Sequence, residues 1–194
     1  MEHFYHHIQG WFTFSKLYDF AVSKCPDNGH IIEIGCWKGR STAYLAVSCI
    51  NSAKNITLDV IDPFLALDTA TCGALPISSK ALRDEFIANM QPVFGHYNLI
   101  TASSPDPAFL YANNSLDFVF IDGSHAYPDV LEDIRAWAPK IKIGGYLAGH
   151  DYAVFASVKQ ACAEFLGIQD WSDPWGCLSW IAQKTDKGFI KVEL

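Results

Sequence analysis

Clusters of basic residues, long apolar runs and paired cysteines are all absent from this sequence. Its 194 residues include 14 Lys and Arg against 21 Asp and Glu, which gives a formal net charge of −7. Nucleic acids and anionic membranes recruit clustered Lys and Arg, so this charge argues against either as a partner. The apolar stretches stop well short of the roughly 18 residues that cross a membrane, and the first residues lack the basic-then-apolar pattern of a signal peptide. We therefore expect a cytoplasmic protein with no nucleic-acid or membrane partner.

The lack of a Cys-x-x-Cys pair removes the usual signature of a zinc knuckle or a redox motif. The six cysteines are spread along the chain at Cys25, Cys36, Cys49, Cys72, Cys162 and Cys177. Isolated cysteines in a cytoplasmic protein are usually reduced and buried. We therefore expect reduced, mostly buried thiols.

The composition is that of a folded globular protein, with 50% hydrophobic and 18% charged residues. The length suits one domain with a well-buried core. We expect a single domain over residues 1–194, with residues 1–28 as a helical cover segment and residues 29–194 as the core. Aromatic residues make up 14% of the chain. They can fill a core, line a pocket or face a partner subunit, so a homodimer is one interpretation.

Short β-branched runs alternate with helical patterns, which is typical of repeated βα units around a mainly parallel sheet. The patterns predict strands over residues 30–34, 56–61, 98–101, 116–121, 143–149, 178–183 and 189–192. They predict helices over residues 14–22, 40–49, 79–90, 128–137 and 157–166, and a loop over residues 65–76. The expected fold is α/β: a Rossmann-like, doubly wound, mainly parallel seven-stranded sheet in a three-layer αβα arrangement.

Glycine and polar residues stand at the carboxyl ends of the predicted strands, the edge at which open α/β folds bind ligands. These residues are Gly35, Asp62, Ser103, Asp122 and the pair His150 and Asp151. Gly35 and Gly39 allow close backbone approach at a strand-to-helix turn, where amides and the helix dipole favour a polar or anionic group. Their spacing, Glu-x-Gly-x-x-x-Gly, differs from the Gly-x-Gly-x-x-Gly of nicotinamide enzymes. It favours a nucleoside without a diphosphate.

Asp62 closes the second predicted strand, where its carboxylate can accept hydrogen bonds from both ribose hydroxyls of a nucleoside seated over the Gly35 turn. Two plainer interpretations remain open: an ordinary tight turn at Gly35 and a solvated loop carboxylate at Asp62. Because the two features lie at consecutive strand ends, together they favour a nucleoside site.

Two carboxylates and two imidazoles follow the fourth and fifth predicted strands, at Asp122, His125, His150 and Asp151. The predicted fold brings these strand ends together, and this set of groups suits a divalent metal or a base-assisted transfer. An imidazole titrates near neutral pH, so His125 or His150 can remove a proton from an acceptor. In the plainer interpretation, His125 caps its loop or helix and contacts no substrate.

Five segments resemble class I S-adenosylmethionine-dependent methyltransferases, and in particular the small-molecule O-methyltransferase branch called methyltransferase family 24. They are residues 32–42, 60–64, 118–127, 144–152 and 158–161. The resemblance implies S-adenosylmethionine as the cofactor. The first motif would hold its methionine part, the acid after the second strand its ribose, and residues after the third strand its adenine. By position, the implied cofactor-binding residues are Glu33, Gly35, Cys36, Trp37, Gly39, Ser41, Thr42, Asp62, Pro63, Ser103, Ser104 and Asp122.

The same resemblance implies metal-ligating acids at Asp122 and Asp151, and catechol-type relatives use another acid where this chain has His150. Magnesium prefers oxygen ligands. A site of Asp122, His150 and Asp151 therefore favours manganese, iron, cobalt or zinc over magnesium, or holds no metal. Macrolide-sugar relatives have a histidine at the position of His125, which implies that His125 is the general base. Asp122, His125 and His150 are thus the candidate catalytic residues.

The resulting hypothesis is S-adenosylmethionine-dependent methyl transfer to a hydroxyl of a small-molecule acceptor, with assistance from a divalent metal as an option. Sugars, glycosides and phenols all fit, because acceptor choice depends on segments such as residues 4–14 and 65–76. Two alternatives belong to other classes. One is a non-catalytic protein that binds S-adenosylmethionine or a nucleoside, and the other is a nicotinamide-dependent oxidoreductase.

Overall fold

A seven-stranded sheet forms the centre of the computed structural model, which describes residues 1–65, 79–169, 171 and 176–192. The strands are β1 (His30–Ile34), β2 (Thr57–Ile61), β3 (Asn98–Ile100), β4 (Leu116–Ile121), β5 (Ile141–Gly149), β6 (Trp180–Thr185) and β7 (Gly188–Lys191). The α-helices of the described residues are α1 (Ser15–Lys24), α2 (Arg40–Asn51), α3 (Ser79–Asn89), α4 (Tyr127–Trp137) and α5 (Ala156–Leu166). The loop expected at residues 65–76 lies outside the described residues apart from Leu65, and Cys72 lies there too.

The strand order in the sheet is β3-β2-β1-β4-β5-β6-β7. Strands β1 to β5 run parallel, β6 runs antiparallel to β5, and β7 runs antiparallel to β6. The chain starts in the centre at β1, moves outward to β3 and returns to β4 on the other side. The carboxyl ends of β1 and β4 therefore form the topological switch point at which doubly wound sheets bind ligands. The predicted fold class is confirmed.

Helices cover both faces of the sheet and give the three layers. One buried cluster joins α1, α2 and α3 to the sheet through side chains that include Leu17, Leu45, Phe86 and Phe120. The other joins α4 and α5 to the opposite face through side chains that include Val119, Ile134, Trp137 and Cys162. In β4, alternate residues enter the two clusters, which explains its almost continuous apolar sequence.

Most strand ends lie within one residue of the prediction, and two strands, β5 and β6, differ from it by two residues. β5 begins at Ile141, because the β4 to β5 register shifts between Leu116 and Phe118 and accommodates an irregularity around Gly144 and Gly145. The backbone φ of Gly144 is +87°, a value that glycine adopts readily. β6 covers residues 180–185 instead of 178–183. Both differences lie away from the carboxyl ends of β1 to β5.

The segment before β1 packs on the core. α1 buries Leu17, Tyr18, Ala21 and Val22 against α2 and the sheet. The described cysteines, Cys25, Cys36, Cys49, Cys162 and Cys177, are free and buried, which agrees with the expected thiols. Among the described residues, no helix is long and apolar enough to cross a membrane.

Candidate active site

The backbone places Gly35, Asp122 and His150 together at the switch point. The amide of Asp122 donates to Ile34 O at 2.8 Å, and the amide of His150 donates to Ile121 O at 3.0 Å. These bonds continue the parallel pairing one residue beyond β1, β4 and β5. Gly35 closes the packing here: its φ is +85°, and a Cβ atom at this position would lie 2.0 Å from Asp122 O. Only glycine allows this approach of β1 to β4.

The turn from Gly35 to Gly39, called here the cofactor turn, connects β1 to α2. Gly39 has a φ of +89° and directly precedes α2. A Cβ atom on Gly39 would lie 3.0 Å from the Phe86 ring and 3.1 Å from Met90 Sδ. The side chain of Asn89 donates to Lys38 O at 2.9 Å. The second glycine of the motif thus allows the turn to pack against α3 and the residue that follows it.

Asp62 lies beside the cofactor turn, as its place at the end of β2 predicted. Its Oδ2 accepts the amides of Cys36 and Trp37 at 2.8 and 2.9 Å, and its Oδ1 accepts the amide of Phe64 at 2.6 Å. A carboxylate has about four acceptor positions, so three are occupied by backbone amides. Asp62 therefore fixes the conformation of the turn. Contact with a ribose stays a prediction, as does a cofactor role for the adjacent Pro63.

Glu33 lies beneath the turn and is fully buried. Tyr18 donates to its Oε1 at 2.7 Å and Thr42 donates to its Oε2 at 2.5 Å. Burial raises the pKa of Glu33 to about 7, although hydrogen bonds from Ser41, Thr42 and Tyr18 act in the opposite direction. Glu33 thus joins α1 and α2 to β1, and Ser41 and Thr42 serve this buried carboxyl group. The predicted contact of these residues with a cofactor remains a prediction.

The two serines after β3 differ in their surroundings. Ser103 is exposed. Ser104 donates to Asp133 Oδ1 at 2.6 Å and accepts Trp137 Nε1 at 2.8 Å, so its hydroxyl is part of the α4 packing. Burial and the nearby acids Asp129 and Glu132 raise the pKa of Asp133 to about 7, against the hydrogen bond from Ser104. An adenine contact at either serine stays a prediction.

His125 and Asp151 form the shortest contact of the reaction centre, which we define as Asp122, His125, His150 and Asp151. His125 Nε2 lies 2.7 Å from Asp151 Oδ2. The His125 ring stacks on Phe155 with a centroid distance of 4.2 Å and an interplanar angle of 5°. Asp151 adopts a φ of +62°, which is uncommon outside glycine and directs its side chain from the end of β5. The four residues predicted from two strand ends do lie together.

His150 sits deeper than His125 and has contacts at both ring nitrogens. Its Nδ1 lies 3.3 Å from Asp151 Oδ2 and 3.6 Å from Asp122 Oδ1, and its Nε2 lies 3.1 Å from Thr13 Oγ1. The His150 side chain is 9% exposed, against 37% for His125. Of the two imidazoles, His125 is therefore the more accessible to solvent.

The charges of this cluster support one another. The hydrogen bond to Asp151 raises the pKa of His125, while burial opposes the shift. Burial alone would lower the pKa of His150, but the carboxylates of Asp122 and Asp151 outweigh it and raise the value to about 10. Burial would likewise raise the pKa of Asp151, but both imidazoles hold it well below its usual range. At neutral pH, His150 is an imidazolium between two carboxylates.

The donor atoms that converge on one point differ from the predicted metal set. Atoms from Asp122, His125 and Asp151 lie within 4.8 Å of one another. His125 thus joins the two acids as a candidate ligand, while the predicted His150 lies 3.3 and 3.6 Å from the same acids. Two carboxylates and one imidazole fit manganese, iron, cobalt or zinc better than magnesium. Metal binding itself stays a prediction.

Two buried polar atoms at the cofactor turn lack a hydrogen-bond partner, which would suit a polar ligand. Among the described residues, Trp37 Nε1 and Arg40 Nε are buried without a hydrogen-bond partner. Buried polar groups in native proteins usually have such partners. These two atoms belong to the turn and the first residue of α2, at the position where the methionine part of a cofactor was predicted.

Sequence reasoning missed Thr13, Tyr18, Asp133 and Phe155, all of which contact predicted site residues. The helical spacing of Leu17, Tyr18, Ala21 and Val22 indicates a buried face and could have identified Tyr18 as inward-facing. No local signal identifies its partner Glu33. Thr13 lies in a segment without periodicity, so the sequence alone carried no signal for its contact.

Comparison with known proteins identifies the family. A family model described as a methyltransferase domain matches residues 32–152. No curated protein matches the chain. A structural-genomics target from Corynebacterium glutamicum aligns at 16% identity over 93% of this chain and 84% of its own, with a TM-score of 0.62. The O-methyltransferase NovP aligns at 16% identity over 89% and 80%, with a TM-score of 0.62. A protein described as a putative rRNA-methylase from Clostridium thermocellum aligns at 15% over 84% and 83%, with a TM-score of 0.57.

Proposed function

Because the chain belongs to the methyltransferase domain family, we propose that it transfers a methyl group from S-adenosylmethionine to a hydroxyl group of a small molecule. The family implies S-adenosylmethionine as the donor. The net charge of −7 supports a small acceptor over RNA, since RNA-binding surfaces are basic. A cytoplasmic location is part of the proposal. The acceptor class we propose is a sugar, glycoside or phenol.

The observation that carries the proposal is the 2.7 Å contact between His125 Nε2 and Asp151 Oδ2 at the switch point. When bound, S-adenosylmethionine supplies the methyl group from its sulfonium to the acceptor oxygen. His125 accepts the hydroxyl proton as the oxygen to carbon bond forms and the sulfur to carbon bond breaks. Asp151 orients the ring and stabilises the imidazolium that results. Because Nε2 faces Asp151, the proton reaches Nδ1.

His150 is the weaker candidate for the base. Its Nε2 contacts Thr13 and its Nδ1 faces Asp122 and Asp151. As an imidazolium, it has no lone pair with which to accept a proton. Its charge instead stabilises the ionised carboxylates. We therefore assign His125 as the base and His150 as the counter-ion of Asp122 and Asp151.

A divalent metal offers a second mode in the same cluster. Asp122, His125 and Asp151 would hold the ion, which would lower the pKa of the acceptor hydroxyl. A metal on either ring nitrogen of His125 would occupy a position that the base mode needs, so the two modes exclude each other. Chelation by EDTA followed by metal analysis separates them. Loss of activity that manganese or zinc restores supports the metal mode, and unchanged activity of metal-free protein supports the base mode.

Calorimetry with S-adenosylhomocysteine and NAD tests the proposal together with an activity assay. We expect binding of S-adenosylhomocysteine without binding of NAD, and transfer of labelled methyl to a member of a panel of phenols, catechols and nucleoside-diphosphate sugars. Binding of NAD alone would indicate an oxidoreductase. Binding of S-adenosylhomocysteine with labelled methyl transferred to RNA instead of the panel would overturn the small-molecule acceptor.

A further inference from the structure

Thr13 joins the segment before α1 to the reaction centre. Its Oγ1 lies 3.1 Å from His150 Nε2 and donates to Cys177 O at 3.1 Å. A hydroxyl group has a single proton. Because that proton points to Cys177, the Thr13 oxygen accepts the Nε2 proton of His150. The direction of both hydrogen bonds is thereby fixed.

This arrangement sets the orientation of the His150 ring. With Nε2 held by Thr13, Nδ1 faces Asp151 at 3.3 Å and Asp122 at 3.6 Å. Phe14 packs on the same ring with a centroid distance of 4.8 Å. Asp151 Oδ2 thus lies between two imidazoles, because His125 contacts the same oxygen. A rotation of the His150 ring would remove one of the two partners that hold this carboxylate.

The segment that carries Thr13 is also attached to the cofactor turn. We call residues 9–13 the N-terminal strap. Its Gln9 accepts Lys38 Nζ at 2.8 Å, and its Gly10 carbonyl accepts Arg40 Nη1 at 2.8 Å. Trp11 stacks on Trp37 with a centroid distance of 5.4 Å. One short segment therefore contacts both the turn at the end of β1 and the histidine at the end of β5.

We propose that Thr13 is a positioning residue, which holds His150 so that Asp151 keeps His125 in the orientation needed for proton removal. The N-terminal strap makes this orientation depend on the cofactor turn, because both are fixed by the same residues. The role in catalysis rests on the proposed function. The hydrogen bond itself can be tested without any activity.

The test is nitrogen-15 NMR of the histidine rings in the wild type, Thr13→Val and Thr13→Ser. Valine keeps the branched shape and removes the hydroxyl, whereas serine keeps the hydroxyl. In Thr13→Val, we expect exchange of the His150 Nε2 proton with water to accelerate about two- to tenfold, the factor that one hydrogen bond contributes. Thr13→Ser restores the wild-type spectrum. Thr57→Val, at the amino end of β2, is the matched control and leaves the His150 signals unchanged.

The activity arm uses the panel of phenols, catechols and nucleoside-diphosphate sugars. One hydrogen bond contributes a factor of about two to ten, so we expect kcat of Thr13→Val to fall by about that factor. Affinity for S-adenosylhomocysteine stays unchanged, and thermal melting verifies that the variant is folded. Unchanged His150 signals in Thr13→Val, or an unchanged kcat, overturn the proposal.

The two proposals fail in different ways. A wild-type protein that methylates no member of the panel, with His150 signals that still respond to Thr13→Val and recover in Thr13→Ser, supports the positioning of His150 and contradicts the proposed function. A wild-type protein that methylates an acceptor, with signals and kcat that Thr13→Val does not change, retains the proposed function and overturns the role of Thr13.

Discussion

Two pairs of histidine and aspartate in this molecule have the same separation and different surroundings. His30 Nε2 lies 2.7 Å from Asp59 Oδ2, and His125 Nε2 lies 2.7 Å from Asp151 Oδ2. The first pair links β1 to β2 inside the sheet. The second pair stands beyond the strand ends at the switch point. The contact distance therefore does not separate a structural pair from a candidate catalytic one.

The partners of each carboxylate make the distinction. Asp59 is 6% exposed and also accepts Asn98 Nδ2 and Tyr111 Oη, each at 2.8 Å. Its three donors come from β1, β3 and the region after β3, so the group joins neighbouring parts of the sheet. Asp151 is shared by two imidazoles, one of which is 37% exposed. Because the His30 side chain is 26% exposed as well, exposure alone does not separate the pairs. Position does: His125 and Asp151 lie beyond the strand ends, where doubly wound sheets bind ligands, whereas His30 and Asp59 join two strands.

His125→Ala should have the largest effect of the substitutions considered, a loss of kcat. It tests whether the pair of His125 and Asp151 is catalytic. General-base catalysis contributes about 10²- to 10⁴-fold, so kcat should fall by that factor while S-adenosylhomocysteine affinity stays the same. His30→Ala is the matched change in the other pair. It should lower the melting temperature and leave kcat at permissive temperature unaltered. If both substitutions lower kcat equally, the distinction between the pairs is wrong.

Gly35→Ala should disrupt the carboxyl edge without changing either pair directly. Its Cβ would lie 2.0 Å from Asp122 O, whereas Gly144, with a similar φ of +87°, has no atom within 4 Å. Left-handed strain costs about 1–2 kcal/mol and overpacking adds about 1–3 kcal/mol. We expect Gly35→Ala to destabilise by about 2–5 kcal/mol in urea unfolding and Gly144→Ala by about 1–2 kcal/mol. Equal losses would mean that strain alone, without the contact to Asp122, explains the glycine.

Asp59→Asn should have the smallest effect, one confined to stability and dependent on pH. Burial alone would raise the pKa of Asp59, but hydrogen bonds from His30, Asn98 and Tyr111 outweigh it and lower the value. The contribution of Asp59 is therefore fully present above the unfolded pKa near 3.9 and is lost as pH falls through the folded value.

At neutral pH, we expect Asp59→Asn to lower the free energy of unfolding by about 1–3 kcal/mol. The difference from the wild type should shrink below about pH 4. Urea unfolding at several pH values measures it, and Asp186→Asn in the exposed turn before β7 serves as the control. A difference that stays constant down to pH 2 would show that the charge of Asp59 contributes nothing.

The fold and the identity of the residues that meet at the reaction centre could be predicted, because both follow from short stretches of sequence. Strands such as β4 have an apolar sequence, and the residues that follow them, including Asp122 and Asp151, mark the ligand-binding edge. The family match over residues 32–152 contains four of the five segments that carried the resemblance. Once strands and helices alternate, topology brings their ends together without further information from the side chains.

The partners of the site residues could not be predicted, because they depend on distant parts of the chain. Thr13 and His150 are separated by 137 positions. Ser104 was expected near an adenine, but its hydroxyl bonds to Asp133 and Trp137 in the packing of α4. The metal set named His150, whereas the converging donors include His125, since the orientation of each ring depends on its neighbours.

Asp62 accepts hydrogen bonds from three backbone amides, so a substitution at this position changes the cofactor turn as well as any contact with a ribose. Substitution by alanine would release the amides of Cys36 and Trp37 and alter the turn. Weaker cofactor binding in that variant could therefore result from the altered turn or from the loss of a contact with the ribose. The 2′-deoxy analogue of S-adenosylhomocysteine removes the hydroxyl from the ligand instead and leaves the protein unchanged. The difference between its affinity and that of S-adenosylhomocysteine measures the contribution of the ribose hydroxyl.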